Sequence, residues 1–294
     1  MEMKLAQRVV IGYYKTKLRT IGLVSPRMAA EQAFKIFCTP YTKGVHQKEP
    51  LVFHKAHPQT FRFEDLEIKG FQWIPEKPNG QKVLVVHGFS SYGYKFEKYV
   101  QPLLATGFEV FMFDAPAHGL SEGKIINALI YKKFLASIDQ RFEKMDAFIA
   151  HSLGGLATSL LAEELEGKRK LVLIAPATET RTAVQGFYKM FKIKEPVRQE
   201  FEQMIERMTG KTMDHFSITR VMRNIQLPVL WIHDQQDRIC PYTDTLPVQK
   251  EGHPHIRFYI TEGLGHNKIY RDQQVIKHVI GFLTEGSEYS VKRG

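Results

Sequence analysis

A serine stands at the centre of the segment Ala150-His151-Ser152-Leu153-Gly154, between a short apolar run and a stretch with helical spacing. Small residues two positions before and two after a serine allow a sharp strand-to-helix turn, which lifts the hydroxyl clear of the sheet and above a helix N-terminus. The usual pattern has glycine at both positions, so Ala150 is a departure. The segment predicts a nucleophilic serine; taken alone, it is also compatible with a turn that has no chemical role.

Two later segments carry the acid and the base that such a serine needs, each directly after a predicted strand. Asp234 and Asp237 follow one strand, and His266 follows the next, behind the turn Gly263-Leu264-Gly265. A histidine takes the proton from the serine, and a carboxylate orients the imidazole. Both aspartates are candidates for the acid by position alone. Of the twelve histidines, only His266 follows the last strand behind a glycine-rich turn.

The candidate serine, aspartates and histidine follow short apolar runs, which alternate with helical stretches along the chain. Because the runs are apolar on both faces, they predict buried parallel strands in a doubly wound sheet. An alternating pattern before them predicts two antiparallel strands. The predicted strands are 61–63, 66–73, 83–86, 110–113, 147–150, 171–174, 229–232 and 256–260.

The spacing of these runs predicts the organisation of the chain. Residues 1–58 form a basic N-terminal helical extension, and the sheet domain consists of residues 59–175 and 225–294. Residues 176–224 contain helical patterns and no convincing strand, which indicates a helical lid inserted late in the sheet.

The predicted lid is rich in aromatic residues and methionine, which either line an acyl-chain pocket or pack the lid onto the sheet domain. We favour packing, and some residues could serve both purposes. These residues are Phe187, Tyr188, Met190, Phe191, Phe201, Met204, Ile205, Met208, Met213 and Phe216.

Together these motifs resemble the α/β-hydrolase superfamily over about residues 60–290, and the acid and base loops are similar to those of uncharacterised bacterial members. Two further segments carry the resemblance. Val85-Val86-His87-Gly88-Phe89 is similar to the oxyanion segment of the superfamily. Phe113 to Ser121 resembles its D-x-P-G-x-G-x-S turn, with Ala117 in place of the usual glycine.

The resemblance implies an α/β-hydrolase fold and assigns roles to individual residues. Ser152 is the nucleophile, His266 the base and Asp237 the acid, with Asp234 as the alternative acid. The backbone N–H groups of Phe89 and Leu153 would bind the oxyanion. His118 and His151, which lie near these motifs, are interpreted as structural.

The predicted activity is hydrolysis of a carboxylic ester with a small to medium hydrophobic acyl chain, through an acyl-enzyme, as in carboxylesterases and lipases. Neither a cofactor nor a metal ion is predicted. An acyltransferase, or a hydrolase of amide, thioester or carbon–carbon bonds, would use the same triad. A non-catalytic binding protein on a hydrolase fold is an alternative of a different class, and the sequence does not predict the oligomeric state.

The net charge of +10 is concentrated near the N-terminus, where residues 1–50 hold nine Lys/Arg against three Asp/Glu. This pattern is typical of a solvated helical face or of weak peripheral contact with an anionic membrane surface. In the second case the substrate would be a monoacylglycerol or lysophospholipid. No motif favours nucleic acid as a partner.

Two properties of the sequence favour a cytoplasmic location. Cys38 and Cys240 are far apart and lack C-x-x-C spacing, which favours a reducing compartment. The first residues do not indicate a secretory signal, and no apolar segment reaches the length of a membrane span.

Overall fold

A computed structural model describes residues 5–41 and 48–285, with residues 5–7 described as backbone only. Its strands agree with the apolar runs of the sequence to within a few residues. The strands are β1 (His57–Phe63), β2 (Leu66–Trp73), β3 (Lys82–Val86), β4 (Glu109–Phe113), β5 (Ala147–His151), β6 (Lys170–Ile174), β7 (Val229–Asp234) and β8 (Ile256–Thr261).

The strands form one sheet in the order β1-β2-β4-β3-β5-β6-β7-β8. β1 pairs with β2, and β2 with β4, in antiparallel register; every later pair is parallel. The predicted mostly parallel sheet and the two predicted antiparallel strands are therefore confirmed, and the structure places these two strands at one edge. Parallel strands end at the same edge of a sheet, so the loops after β3, β4, β5, β7 and β8 all lie at one edge.

Helices connect the strands, and several begin at sequence signals that cap a helix. Asn127 and Asp272 accept hydrogen bonds from backbone N–H groups of the first turns that follow them. The helices are α1 (Leu5–Val24), α2 (Pro26–Phe37), α3 (Glu97–Ala105), α4 (Ala128–Arg141), α5 (Leu153–Ala162), α6 (Thr180–Phe191), α7 (Glu195–Thr209), α8 (Ile218–Met222), α9 (Leu246–Glu251), α10 (Gly265–Lys268) and α11 (Gln273–Thr284).

Alternate residues of the central strands form the main hydrophobic core with α3 and α11. Val85, Ile149 and Ile174 are buried on one face of the sheet, and Leu103 and Val279 pack in the same cluster. Because successive side chains of a strand point to opposite faces, strands that are apolar throughout supply a core on each side of the sheet. This rigid sheet fixes the ends of the strands at which the candidate site lies.

The chain divides into two compact units, which do not follow the predicted segments. The larger unit comprises Pro40–Thr178 and Ile218–Gly294 and contains the whole sheet. The smaller unit comprises Met1–Thr39 and Glu179–Ser217, so the N-terminal helices and most of the predicted lid belong together.

Aromatic contacts hold the smaller unit together. The ring of Phe34 in α2 lies 5.7 Å from that of Phe201 in α7, and the Phe37 ring lies 5.3 Å from that of Phe187 in α6. Some aromatic residues of the predicted lid thus pack against α2 of the N-terminal region. The sequence pattern does not indicate this pairing. In the part of the chain that the structure describes, no helix is both long and apolar enough to cross a membrane.

Candidate active site

Ser152 occupies the sharp turn between β5 and α5. Its φ of 54° and ψ of −123° are unfavourable for a residue with a side chain, and such backbone strain costs about 1–3 kcal/mol. Neighbouring backbone holds the turn: the Ser152 N–H donates to the Ile174 oxygen at 3.2 Å, and the Ala177 N–H donates to the Ser152 oxygen at 3.0 Å. The predicted strand–turn–helix is present, with the serine at its apex.

Close backbone approach explains the glycines around this turn. A Cβ on Gly154 would lie 2.4 Å from the His87 carbonyl oxygen, and one on Gly88 would lie 2.8 Å from the Ser152 Cβ. Neither distance is tolerated, because backbone and Cβ atoms have no freedom to move aside. The loop that follows β3 therefore packs directly against the serine.

Ser152, His266 and Asp237 form one hydrogen-bonded chain. The Nε2 atom of His266 lies 3.0 Å from the Ser152 Oγ, and its Nδ1 atom lies 2.7 Å from the Asp237 Oδ2. All three residues are buried. These distances are within hydrogen-bond reach, so the arrangement can pass the serine proton to a histidine that a carboxylate orients.

Asp237 is fixed by the loop that carries it. Its Oδ1 accepts hydrogen bonds from the N–H groups of Ile239 at 2.8 Å and Cys240 at 2.9 Å, which leaves Oδ2 for His266. Cys240 is also adjacent to the serine: burial raises the pKa of its thiol, while a hydrogen bond with Ser152 acts in the opposite direction. Cys240 is thus part of the site, although nothing but its position three residues after Asp237 indicates this in the sequence.

Asp234, the other candidate acid, ties the β7 and β8 ends together. Its Oδ1 accepts from the Gln236 N–H at 3.0 Å, and its Oδ2 accepts from the Thr261 hydroxyl at 2.8 Å and the Leu264 N–H at 3.0 Å. Burial acts to raise the pKa of Asp234, but these hydrogen bonds outweigh burial and lower it. In the structure, therefore, Asp237 contacts His266, whereas Asp234 binds the turn that precedes His266.

Two histidines link the loops after β3 and β4. The His87 Nε2 accepts from the Ala115 N–H at 3.0 Å, and the His118 Nε2 accepts from the Ser90 N–H at 3.0 Å. Because each Nε2 accepts, the proton of each neutral ring is on Nδ1, which lies within 3.0 Å of a backbone oxygen. Burial lowers the pKa of His87 to about 4, which keeps the ring neutral.

The loop after β4 folds around Asp114. Its carboxylate accepts from the N–H groups of Gly93 at 2.8 Å and Leu120 at 2.9 Å. Ala117 has a φ of 68°, a value that favours glycine and agrees with the usual residue at this position. This turn orders the neighbourhood of the β3 loop and makes no hydrogen bond to Ser152 among the described residues.

His151 packs behind the catalytic histidine candidate. Its Nε2 lies 3.1 Å from the His266 carbonyl oxygen, and its ring centroid lies 4.7 Å from those of His266 and Tyr270. Burial, and then the neighbouring His266, lower the pKa of His151 well below its usual range. A neutral His151 therefore donates to the backbone of His266 and supports its position.

The two predicted oxyanion donors belong to residues near the serine: Leu153 directly follows it, and Phe89 follows Gly88, on which a Cβ would lie 2.8 Å from the Ser152 Cβ. The Leu153 N–H is the first of α5, where no carbonyl of the preceding turn is available to it. Within the described ranges 5–41 and 48–285, the Phe89 N–H donates no hydrogen bond. Neither N–H group therefore has a hydrogen-bond partner in the part of the chain that the structure describes.

Comparisons with known proteins bear on the fold. A profile of the serine aminopeptidase family S33 matches residues 77–220, which include the β3 loop and Ser152. No match was found among curated proteins.

Three similar solved structures illustrate the fold. An esterase from Pyrococcus furiosus is 18% identical with a TM-score of 0.62, and covers 84% of this chain and 97% of its own. Est1E from Butyrivibrio proteoclasticus, solved with ferulic acid, is 18% identical with a TM-score of 0.62, and covers 77% and 98%. A proline iminopeptidase from Mycobacterium smegmatis is 15% identical with a TM-score of 0.57, and covers 80% and 100%.

The sheet order and the structural likeness together define the fold. The chain has the α/β-hydrolase fold, as the sequence motifs indicate.

Proposed function

We propose that this protein hydrolyses carboxylic esters with Ser152 as nucleophile, His266 as general base and acid, and Asp237 as the orienting carboxylate. The observation that carries the proposal is the hydrogen-bonded chain from Ser152 through His266 to Asp237, with distances of 3.0 and 2.7 Å. Asp237 is favoured over Asp234 because both oxygens of Asp234 are occupied by the backbone and Thr261.

In this proposal, His266 removes the Ser152 proton while the hydroxyl oxygen attacks the ester carbonyl carbon. The resulting imidazolium, stabilised by Asp237, returns that proton to the alcohol that leaves, and an acyl-Ser152 intermediate remains. Water, deprotonated by the same histidine, attacks the acyl carbon. The proton then returns to the Ser152 oxygen, which restores the enzyme and releases the acid.

The N–H groups of Phe89 and Leu153 would stabilise the negative charge that develops on the carbonyl oxygen. One such donor contributes on the order of 10²–10³ in rate at comparable sites. Support comes from the approach of Gly88, the residue before Phe89, to Ser152, and from the position of Leu153 as the first residue of α5.

Ester substrates with a small to medium hydrophobic acyl chain are proposed because one of the similar structures is named an esterase and another, Est1E, has ferulic acid bound. The family profile is named for serine aminopeptidases, and one similar structure is a proline iminopeptidase. Amide hydrolysis with the same triad is therefore the second candidate function. Comparing amino-acid p-nitroanilides with p-nitrophenyl esters separates the two, since only a peptidase would prefer the amides.

The test of the proposal is the hydrolysis of p-nitrophenyl esters of increasing chain length by the wild type, Ser152→Ala and Ser137→Ala. Ser137 is a matched control, since the one hydrogen bond of its hydroxyl among the described residues is to the Phe134 carbonyl in α4. Loss of the nucleophile should reduce kcat by about 10⁶. Equal rates in wild type and Ser152→Ala would refute the assignment.

Product analysis with competing alcohol acceptors distinguishes hydrolysis from acyl transfer. A binding protein on this fold would turn over neither esters nor amides. A cytoplasmic location is a further proposal, supported by two free, buried cysteines, Cys38 and Cys240.

A further inference from the structure

The outward surface of α1 and the start of α2 combines exposed apolar side chains with basic ones. Thirteen large apolar side chains are highly exposed in the part of the chain that the structure describes, and six of them lie within residues 9–28. Such a concentration is unusual, because exposed apolar residues on soluble proteins are normally scattered. The six are Val9, Val10, Tyr13, Leu23, Val24 and Met28.

The opposite side of α1 packs against other helices of its own unit. Leu18 is buried, and a Cβ on Gly22 would lie 3.1 Å from the Val197 Cγ2 and 3.6 Å from the Ala29 Cβ. α1 therefore packs through one side against α2 and α7 of its own unit. The exposed apolar residues Val9 and Leu23 are on the other side, where 63% and 82% of each residue is exposed.

The charges on this surface have one sign. Residues 5–30 contain five basic residues and no Asp or Glu. Arg27 pairs with Glu31 at 3.3 Å, whereas the remaining four make no ion pair within the described residues. These four are Arg8 and Arg19, which are exposed, and Lys15 and Lys17, which are half-buried.

We propose that this surface, formed by the exposed side of α1 and the first turn of α2, binds an anionic lipid bilayer peripherally. Charge complementarity selects this occupant: basic side chains attract acidic headgroups, and their aliphatic stems allow the apolar residues between them to enter the interface. A second copy of the same surface would bring like charges together. The proposal does not depend on the assignment of the catalytic residues.

Vesicle sedimentation tests the proposal. The protein should bind to vesicles of phosphatidylcholine with phosphatidylserine at low salt, and bind weakly to phosphatidylcholine alone. Raising the salt concentration should release it, because surface attraction is screened. Equal binding to both kinds of vesicle, or none to either, would overturn the proposal.

Two double variants separate charge from apolar contact. Arg8→Gln with Arg19→Gln should weaken the partition onto anionic vesicles by about five-fold per charge removed. Leu23→Gln with Val24→Gln should weaken binding at a salt concentration where the charges are screened. Each replaced side chain is exposed, so folding should be unaffected, as melting temperature will show.

Matched controls come from exposed residues elsewhere on the chain. Lys211→Gln with Lys250→Gln removes the same net charge, and Leu51→Gln removes an apolar residue that is 81% exposed. These variants should bind like the wild type. If they lose binding as much as the α1 variants, the attraction is a general effect of net charge, and the proposed surface is wrong.

Two parallel measurements keep the outcomes distinct. Hydrolysis of a short soluble p-nitrophenyl ester should be the same in all variants, so a failed esterase proposal would not be mistaken for failed lipid binding. Sedimentation velocity without vesicles tests whether the surface binds a second copy of the chain. The wild type should show no self-association that is lost in the variant Leu23→Gln with Val24→Gln. Such an association would assign the surface to a second copy and contradict the lipid proposal.

Discussion

The two pairs of loops at the active edge of the sheet are held in place by opposite kinds of side chain. The loops after β7 and β8, which carry Asp237 and His266, are joined by the carboxylate of Asp234. The loops after β3 and β4, which carry Phe89, are joined by the neutral rings of His87 and His118. The Asp234 carboxylate accepts three hydrogen bonds, whereas the Nε2 atoms of His87 and His118 accept one each. The two pairs of loops should therefore respond differently to substitution and to pH.

The largest expected effect separates the two aspartates. Asp237→Asn keeps an oxygen for the Ile239 and Cys240 N–H groups but presents an amide to His266, which favours the wrong imidazole tautomer. We expect kcat to fall by about 10⁴ with little change in stability. Steady-state kinetics and thermal unfolding measure both.

Asp234→Asn is the matched comparison. Its amide would face the donors Thr261 and Leu264, so the variant should lose about 1–3 kcal/mol of unfolding free energy. Its kcat should fall much less than that of Asp237→Asn. The reverse ranking of kcat would make Asp234 the catalytic acid.

Acidification should affect His87 and Asp234 in different pH windows. The pKa of His87 is about 4 in the folded protein against an ordinary 6.5, so between these values only the unfolded chain binds the proton. The unfolding free energy should therefore decrease by about 1.4 kcal/mol per pH unit for this residue as pH falls from 6.5 towards 4. The lowered pKa of Asp234 places the loss of its contribution at lower pH, below its ordinary 3.8.

Denaturant unfolding at several pH values measures how the unfolding free energy changes with pH. The variant His87→Leu removes the contribution of this histidine to that slope. Burial raises the pKa of Asp114, so this residue opposes the slope, because the folded state then binds a proton before the unfolded state does. His87→Leu should be less stable at neutral pH but should depend less steeply on pH. A slope identical to that of the wild type would mean that folding does not lower the pKa of His87. His54→Leu, at an exposed position, serves as the control.

The next effect is a decrease in kcat/KM, which we expect from a steric clash in the loop after β3. Gly88→Ala would place a Cβ 2.8 Å from that of Ser152, which must displace the loop and the Phe89 N–H with it. We expect kcat/KM to fall by about 10², as for the loss of one oxyanion donor. Gly93→Ala is the control, since the nearest atom would be 3.6 Å away. Unchanged kcat/KM in Gly88→Ala would argue against Phe89 as a donor.

The smallest effect is expected in the β4 loop at Ala117. Glycine would relieve the positive φ of 68° but would lose a buried methyl group and add freedom to the unfolded chain. These terms nearly cancel, so the stability of Ala117→Gly should stay within about 0.5 kcal/mol of the wild type. Ala136→Gly in the middle of α4 should lose about 1 kcal/mol, since no strain is relieved there. Equal losses at both positions would mean that Ala117 is unstrained.

The sequence predicts the parts of the molecule in which local pattern and position carry the information. The buried strands follow from apolar runs, and Ser152 and His266 follow from turns that only small residues permit. The family resemblance favours Asp237 over Asp234, but position after the strand does not separate them, and the physical reason lies in the hydrogen bonds of each carboxylate.

Contacts between distant segments could not be predicted in this way. The hydrogen bond from the Ala115 N–H to His87 joins residues 28 positions apart, and any histidine in a loop would look the same in the sequence. The pairing of α2 with α6 and α7 depends on which apolar surfaces meet, which helical periodicity does not specify.

Labelling with a fluorophosphonate tests the central claim most directly, because this reagent forms a covalent bond only with an activated serine. The wild type should carry the label on Ser152, as mass spectrometry of its peptides will locate it, and His266→Ala should label far more slowly. Ser152→Ala should remain unlabelled. A label on another residue, or an equal labelling rate in wild type and His266→Ala, would contradict the proposed triad.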